Sequence, residues 1–483
     1  MKKKIRRKGG SKKRINHPKS KSNLNLGIYG ILAFFLLIGL FSESVRSVPA
    51  GAFSELSLDK NLKLDDLNSQ LIEKKVLNAS YIKSSKVDKI FCMPGNGGTE
   101  NISKNLIINI SNFQEIKNAV EENNIDLLIV GPEKPLVDGI VDFFENSSVK
   151  VFGPDKAASQ LEGSKIFTKN LCQKYNIPTA SFGVFENAFE SKKFIDNSSF
   201  PIVIKADGLA SGKGVYISEN KHEAYNAVDE IFNGKFGQAK NILIEEFLVG
   251  EEMSYFIITD GESIKAFETA QDHKRVKEGD KGQNTGGMGA YSPSRLINKS
   301  LENKIINKII NPTLKGLKDM GIEYKGFLYA GLMIKNEEPY LIEYNVRMGD
   351  PECQTILPKL ETDLMEVLLS CCEKKLNKID IQWNEKKSLS IVLCSKGYPN
   401  EYKKNLIIKN IKKIITDQNN FCFHAGTILK DNEILAVGGR VLNFISMANS
   451  FSKARQDIIK NIDILNWESG FYRKDIGYKV IDE

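Results

Sequence analysis

A chain of 483 residues, at roughly 100–200 residues per domain, holds about three domains, and its 41% hydrophobic and 27% charged residues with 37 Gly and 14 Pro exclude a disordered, fibrous or miniature scaffold. The net charge of +8 suggests nucleic-acid binding until it is divided: eleven of the 68 Lys and Arg fall within residues 1–21, and the other 462 residues carry 57 basic against 60 acidic side chains. The basicity belongs to a solvated tail, so no nucleic-acid partner is expected. Seven cysteines (Cys92, Cys172, Cys353, Cys371, Cys372, Cys394, Cys422) form no C-x-x-C pair, which speaks against a disulfide framework and a zinc ribbon and for a reducing compartment.

Residues 1–62 read as a basic tail with an apolar leader. Between Lys21 and Glu43 no residue is charged, and Leu26–Phe41 is almost continuously apolar, marginal for the roughly 20 residues that span a bilayer. Basic residues, an apolar stretch and the small residues Ala50-Gly51-Ala52 also make the three parts of a secretory signal. Membrane contact is expected only if the 26–41 segment is genuine and retained. Leu67 and Leu71 share a face at i, i+4 spacing, which predicts a helix over about Leu64 to Ile82.

Residues 63–152 alternate short apolar runs with helical stretches, the cadence of a doubly wound α/β domain. A helix is predicted near Phe113 to Asn123, and Ile125 to Val130 reads as a buried parallel strand. Pro132 and Glu133 follow at its carboxyl end, where open α/β sheets bind ligands. The turn Gly95-Asn96-Gly97-Gly98-Thr99 lies at the equivalent edge and offers backbone N–H groups to an anion, although glycine-rich turns are more often plain turns.

Residues 153–378 carry the stronger signals. FPIVIKADGLASGKGVYI reads as a strand bearing Lys205, a loop with Gly208, Gly212, Lys213 and Gly214, and a second strand. Glycines let backbone approach phosphate oxygens and lysine supplies point charge, yet no Walker A sequence is present. ILIEEFLVGEE then runs a strand into Glu245, Glu246, Phe247 and Leu248, a hinge suited to pairing with an adenine edge. In YLIEYNVRMGDPE, Glu343 and Asn345 lie two apart on a strand and share a face. A carboxylate and an amide oxygen together make a hard, oxygen-only set suited to Mg²⁺.

The order SKIFTK, KADGLASGKG, EEFLVGEE, AQDHKR, NTGGMGAYSP, GFLYAGLMI and NVRMGDPE closely resembles the phosphoribosylamine–glycine ligase family, also called glycinamide ribonucleotide synthetases, ATP-grasp enzymes of purine biosynthesis. The resemblance runs from about Val87 to the C-terminus, where SKGYP, FHAGT, GGRVL and RKDIG also match. It implies an α/β and α+β multidomain protein: an incomplete Rossmann-like N-terminal domain, an ATP-grasp central domain, and a small mixed C-terminal domain over 379–483. The implied reaction joins glycine to 5-phosphoribosylamine with ATP and Mg²⁺ or Mn²⁺, through a glycyl phosphate, in the cytoplasm.

By the same resemblance, Lys165 and Lys205 contact ATP phosphates, Glu252 reaches the ribose, and Glu343 and Asn345 hold the metal. Arg347 takes carboxylate or transition-state charge. Asp272 with the Asn284, Gly286 and Gly287 loop orients glycine and the amine, while His273 is read as structural. The glycine loop is expected to close over the site. The family's first strand, its glycine-rich turn and an Arg-Glu-His-Ala sequence are missing here, so the phosphoribosylamine site is expected to be incomplete. Exporting an ATP-dependent enzyme makes little chemical sense, so the leader is read as foreign sequence on a truncated gene, ahead of an anchor or a processed targeting segment. A catalytically impaired member that keeps ATP binding is one alternative. Another ATP-grasp carboxylate–amine ligase is a second, disfavoured by AQDHKR and NTGGMGAYSP.

Overall fold

The computed structural model describes residues 84–209, 214–235, 237 and 240–481. The tail, the apolar run 26–41, the helix predicted over 64–82, and Gly212 and Lys213 lie outside the described residues.

In the first domain β1 (Phe91–Cys92) pairs in parallel with β2 (Lys104–Asn105), and β3 (Leu127–Ile129) with β4 (Lys150–Phe152). The parallel cadence is therefore present, among the described residues as two two-stranded sheets. The strand read over 125–130 is the shorter β3, and the helix read near 113–123 spans Phe113–Glu122. Asn112 caps that helix by accepting from the Gln114 and Glu115 N–H groups, replacing partners that a first turn lacks. Its buried Ile116, Ala119 and Val120 recur at helical spacing on one face.

The central region is built on two sheets. The smaller is antiparallel, ordered β5 (Phe182–Phe185), β8 (Ile242–Glu246), β6 (Ile202–Ala206), β7 (Val215–Ser218). Helices Ala188–Ile195 and Lys221–Phe232 bury Ile195, Ala224, Val228 and Ile231 against Ile202, Ile204 and Ile244. The larger begins with β9 (Glu251–Asp260) and β10 (Ile264–Asp272). A ribbon of β11 (Arg275–Lys277) and β12 (Lys281–Asn284) follows, then β13 (Gly289–Ser292), β14 (Lys325–Lys335) and β15 (Glu338–Asn345).

Along β9, Tyr255 and Ile257 join one apolar cluster while Phe256 and Ile258 join another. Alternate side chains leave a strand on opposite faces, so this sheet is buried on both sides, as its unbroken apolar run requires. The C-terminal strands are β16 (Lys387–Ser395), β17 (Leu406–Ile407), β18 (Asn420–His424), β19 (Thr427–Lys430), β20 (Glu433–Ala436), β21 (Arg440–Ala448) and β22 (Gly470–Phe471). Strand β13 pairs with β16, so one sheet runs β15-β14-β9-β10-β13-β16-β21-β18 from the central region into the C-terminal one. The boundary expected near residue 378 thus falls between elements of a continuous sheet.

Candidate active site

Phe247–Gly250 is the link between β8 of the small sheet and β9 of the large one, so the segment read as a hinge joins the two jaws of a cleft. Lys205 on β6 and Glu245 on β8 sit diagonally across the ladder, in which Val203 faces Glu245 and Lys205 faces Leu243. The Glu245 carboxylate pairs with Lys205 Nζ at 2.6 Å and with Lys169 Nζ at 2.6 Å, all three side chains being buried. Burial pushes Glu245 up, but the two lysines outweigh it and hold the carboxyl below its usual range. Two cations share one anion, which leaves net positive charge inside the cleft wall. Glu245 was read as a nucleotide contact; its side chain is committed to holding the lysines. The Glu246 carboxylate accepts from the Ser181 N–H at 3.0 Å.

Lys165 opens the helix Lys165–Tyr175. Ser164 Oγ accepts from the Phe167 N–H at 3.1 Å and Asp207 Oδ1 from the Ile166 N–H at 3.2 Å, so two caps fix the helix start. Lys165 Nζ donates to the Gly208 carbonyl at 2.8 Å. Burial depresses its pKa, and Lys205 adds to the depression while Glu343 opposes it. At the far end of the loop Gly214 O accepts from the Ala206 N–H at 2.9 Å, closing the β6–β7 stem.

Glu343 and Asn345 occupy the end of β15, both half-buried and on one face as their spacing requires. Neither side chain hydrogen-bonds to protein among the described residues, while Glu343 lies within electrostatic reach of Lys165 and Lys274. Two uncommitted oxygen donors on one face fit a hard divalent cation. Among the described residues no cluster of three His, Cys, Asp or Glu offers a metal site.

Arg347, expected to take carboxylate or transition-state charge, is held here by acidic partners. Its Nε donates to Glu133 Oε2 at 3.0 Å, Nη2 to Glu162 Oε1 at 2.8 Å and Nη1 to the Met348 carbonyl at 3.1 Å. The guanidinium fastens the first domain's Glu133 to the segment that follows β15. Glu162 also accepts from the Val346 N–H at 2.8 Å. Burial lifts Glu162 to about 7 against the pull of Arg347. Glu252 is likewise paired, to Lys274 Nζ at 2.8 Å.

Asp272 ends β10 opposite Ala290. Burial, then repulsion from Glu352, pushes its carboxyl well above the usual range, and its Oδ1 is buried with no hydrogen-bond partner among the described residues. Gly287 makes room for it: at φ +112° a Cβ there would meet Pro351 at 2.4 Å and Asp272 Oδ1 at 2.9 Å. Arg440, from the GGRVL motif, donates to the Gly286 carbonyl at 2.6 Å and to Asp350 Oδ2 at 2.8 Å, and Tyr398 Oη accepts from the Gly286 N–H at 3.1 Å. The C-terminal region therefore shapes this loop. Asn284 is exposed at the ribbon's end, paired in register with Arg275.

His273 is buried. Its Nε2 accepts from the Gly477 N–H at 3.3 Å, so Nδ1 carries the proton and donates to the Gly289 carbonyl at 3.2 Å. Burial, reinforced by Arg473, lowers its pKa to about 4. Both nitrogens are used structurally.

The Gly95–Thr99 turn does not present a free N–H cradle, which corrects the sequence reading of it. Gly97 N–H donates to the Thr427 carbonyl at 3.1 Å, Gly98 and Thr99 N–H to Asn96 Oδ1 at 2.8 and 3.1 Å, and Asn96 N–H to Thr99 Oγ1 at 2.8 Å. Asn96 Nδ2 donates to the His424 carbonyl at 2.7 Å. The turn is a docking knuckle for the FHAGT segment. Pro132 caps the short helix Glu133–Asp138 without a side-chain bond.

Sequence reasoning missed Lys169, Glu162, Asp207 and Arg440. Lys169 and Glu162 lie in and beside SKIFTK, four residues and three residues from Lys165, so helical spacing carried a signal. Arg440 lies 154 residues from Gly286 and 90 from Asp350; the GGRVL motif flagged the segment but not these partners.

Two hinged sheets gripping a lysine-lined cleft, with an oxygen-donor pair on the opposing strand, define an ATP-grasp ligase. The match to phosphoribosylglycinamide synthetase models is threefold: the N domain over residues 74–162, the ATP-grasp (A) domain over 163–353 and the C domain over 388–479. The chain is 42% identical over 400 residues to a phosphoribosylamine–glycine ligase of Brucella melitensis, covering 83% of this chain and 94% of that protein. It is 43% identical over 396 residues to that of Caldanaerobacter subterraneus, covering 82% and 94%. The solved Thermotoga maritima phosphoribosylamine–glycine ligase matches with TM-score 0.71 and 31% identity over 84% of this chain and 96% of that one. The chain belongs to the phosphoribosylglycinamide synthetase family. A biotin carboxylase domain from Hydrogenobacter thermophilus shares the fold at TM-score 0.61 and 15% identity, over 82% of this chain and 87% of that one.

Proposed function

We propose that the chain ligates glycine to 5-phosphoribosylamine at the expense of ATP, giving glycinamide ribonucleotide, ADP and phosphate in purine biosynthesis. The observation that carries this is the cleft itself: the buried Lys169–Glu245–Lys205 group and Lys165 on one wall, facing uncommitted Glu343 and Asn345 on the other, in a chain of this family. Glycine's carboxylate has to approach an anionic γ-phosphate, and transfer depends on positioning and on charge neutralisation. Lys205 and Lys165 supply fixed positive charge, Glu245 keeps Lys205 in place, and the Phe247–Leu248 backbone meets the adenine. Glu343 and Asn345 would hold Mg²⁺ or Mn²⁺, which neutralises phosphate charge when bound.

The unpartnered Asp272 Oδ1 beside Gly287 suits the ammonium of glycine, whose charge would restore the carboxylate that burial disfavours. Acyl phosphate is reactive enough for direct attack by the amine once water is excluded, so no histidine base is required and His273 supplies none. Seven unpaired cysteines support a reducing cytoplasm as the working compartment. Among the described residues no helix is long and apolar enough to cross a membrane.

The committed Gly95–Thr99 turn favours a second reading, in which ATP and glycine bind but phosphoribosylamine binds weakly. Phosphate release from ATP separates the two. Release that requires glycine and phosphoribosylamine together establishes the ligase; nucleotide binding without coupled release assigns the impaired form.

A further inference from the structure

Among the described residues β1 pairs only with β2, and β3 only with β4. Between these two parallel pairs lies a cavity of about 420 Å³, bounded by Ile90 and Phe91 on one side, Leu127 and Ile129 on the other, and Ile116 and Met365 around it. Such a volume is that of a ligand pocket; its walls are mostly strand edges and hydrocarbon, and its charged lining, Lys86, Asp88, Lys89 and Asp126, balances to zero and so favours no single charged metabolite. An open strand edge exposes unpaired N–H and C=O groups and accepts another strand. A strand placed between two parallel edges and covered on both faces reads as a near-continuous apolar run.

The chain itself leads to this slot. Ser84 Oγ donates to Asp363 Oδ2 at 2.6 Å, fastening the backbone at the slot's mouth, and Lys86 to Ile90 line it. Of residues 1–83, Leu26–Phe41 is the one long uncharged apolar stretch. Residues 42–83 connect it to Ser84, more than the dozen or so residues that a parallel crossover needs, and they include the helical pattern at 64–82. Tethering keeps its effective concentration at the slot high.

We propose that part of Leu26–Phe41 inserts as a parallel strand between β1 and β3, so that this chain's leader completes the first-domain sheet as core. The test is amide hydrogen exchange on three forms: the full chain, a chain starting at residue 63, and full-length Phe34→Asp/Leu37→Asp, which puts charge on both faces of a strand. The expected result is that amides at 90–92 and 127–130 exchange at least roughly tenfold faster in both altered forms than in the full chain. Equal exchange in all three overturns the proposal. So does flotation of the full chain with phosphatidylcholine vesicles while those amides exchange as fast as in the double variant, which assigns the run to the bilayer. If the shortened chain does not fold, the double variant decides.

Discussion

The two glycine-rich turns of this chain look alike in sequence and differ in the charge and the neighbours that their surroundings bring to them. The ends of the Gly208–Gly214 loop leave strands beside Lys205 and Lys165, on a wall whose buried charges sum to net positive. The Gly95–Thr99 turn has the N–H groups of residues 96–99 spent on Asn96, Thr99 and Thr427, and Gly97 and Gly98 pressed against a neighbouring domain: a Cβ at Gly98 would meet His424 at 2.8 Å. A glycine turn becomes an anion site only where donors stay uncommitted and charge is held nearby. The lesson is one of accounting for every N–H.

The largest effect expected from this contrast is at Glu245. Glu245→Ala leaves Lys169 and Lys205 buried without their anion, a loss of about 3–5 kcal/mol, read by urea unfolding; a loss under about 1 kcal/mol would show that water reaches the lysines. Next is Lys205→Met, for which kcat of glycine-dependent phosphate release should fall roughly 10²–10³-fold while the fold persists; unchanged turnover removes Lys205 from the phosphate site. On the other side of the contrast, Asn96→Ala should destabilise by about 1–3 kcal/mol, since buried donors and carbonyls lose their partner, with nucleotide affinity unchanged in calorimetry. A change in ATP affinity there would erase the distinction between the turns.

The smallest is a pH effect at the Arg347 clasp. Glu162, lifted to about 7, keeps its proton in the folded chain where the unfolded chain has lost it, from about pH 4.5 to about 7. Raising pH through that window therefore favours unfolding, and the loss is complete above it. Glu162→Gln keeps an acceptor for Arg347 and should flatten the slope of stability against pH across the window.

Much of the cleft was legible because its parts are local. Lys205 and its loop, the Glu245–Leu248 hinge and the Glu343–Asn345 pair each sit within one strand and its continuation, so period-two spacing and composition exposed them. What escaped was partnership over distance. Arg347 reads as a free cation in NVRMGDPE, yet Glu133 and Glu162, roughly two hundred residues away, claim it. The Gly95–Thr99 donors read as available because Thr427 and His424 are more than three hundred residues off. His273 reads as structural in sequence, and which nitrogen holds the proton depends on Gly477, 204 residues on.

The sequence by itself determined the family, the alternation of elements, the lysine strand, the hinge and the oxygen-donor pair, because each is written in neighbouring residues through backbone periodicity. Only the tertiary structure decided which of those groups remain free to act. That choice rests on hydrogen bonds and ion pairs between segments far apart in the chain, and on burial, which raises the pKa of Asp272 and Glu162 and lowers that of His273.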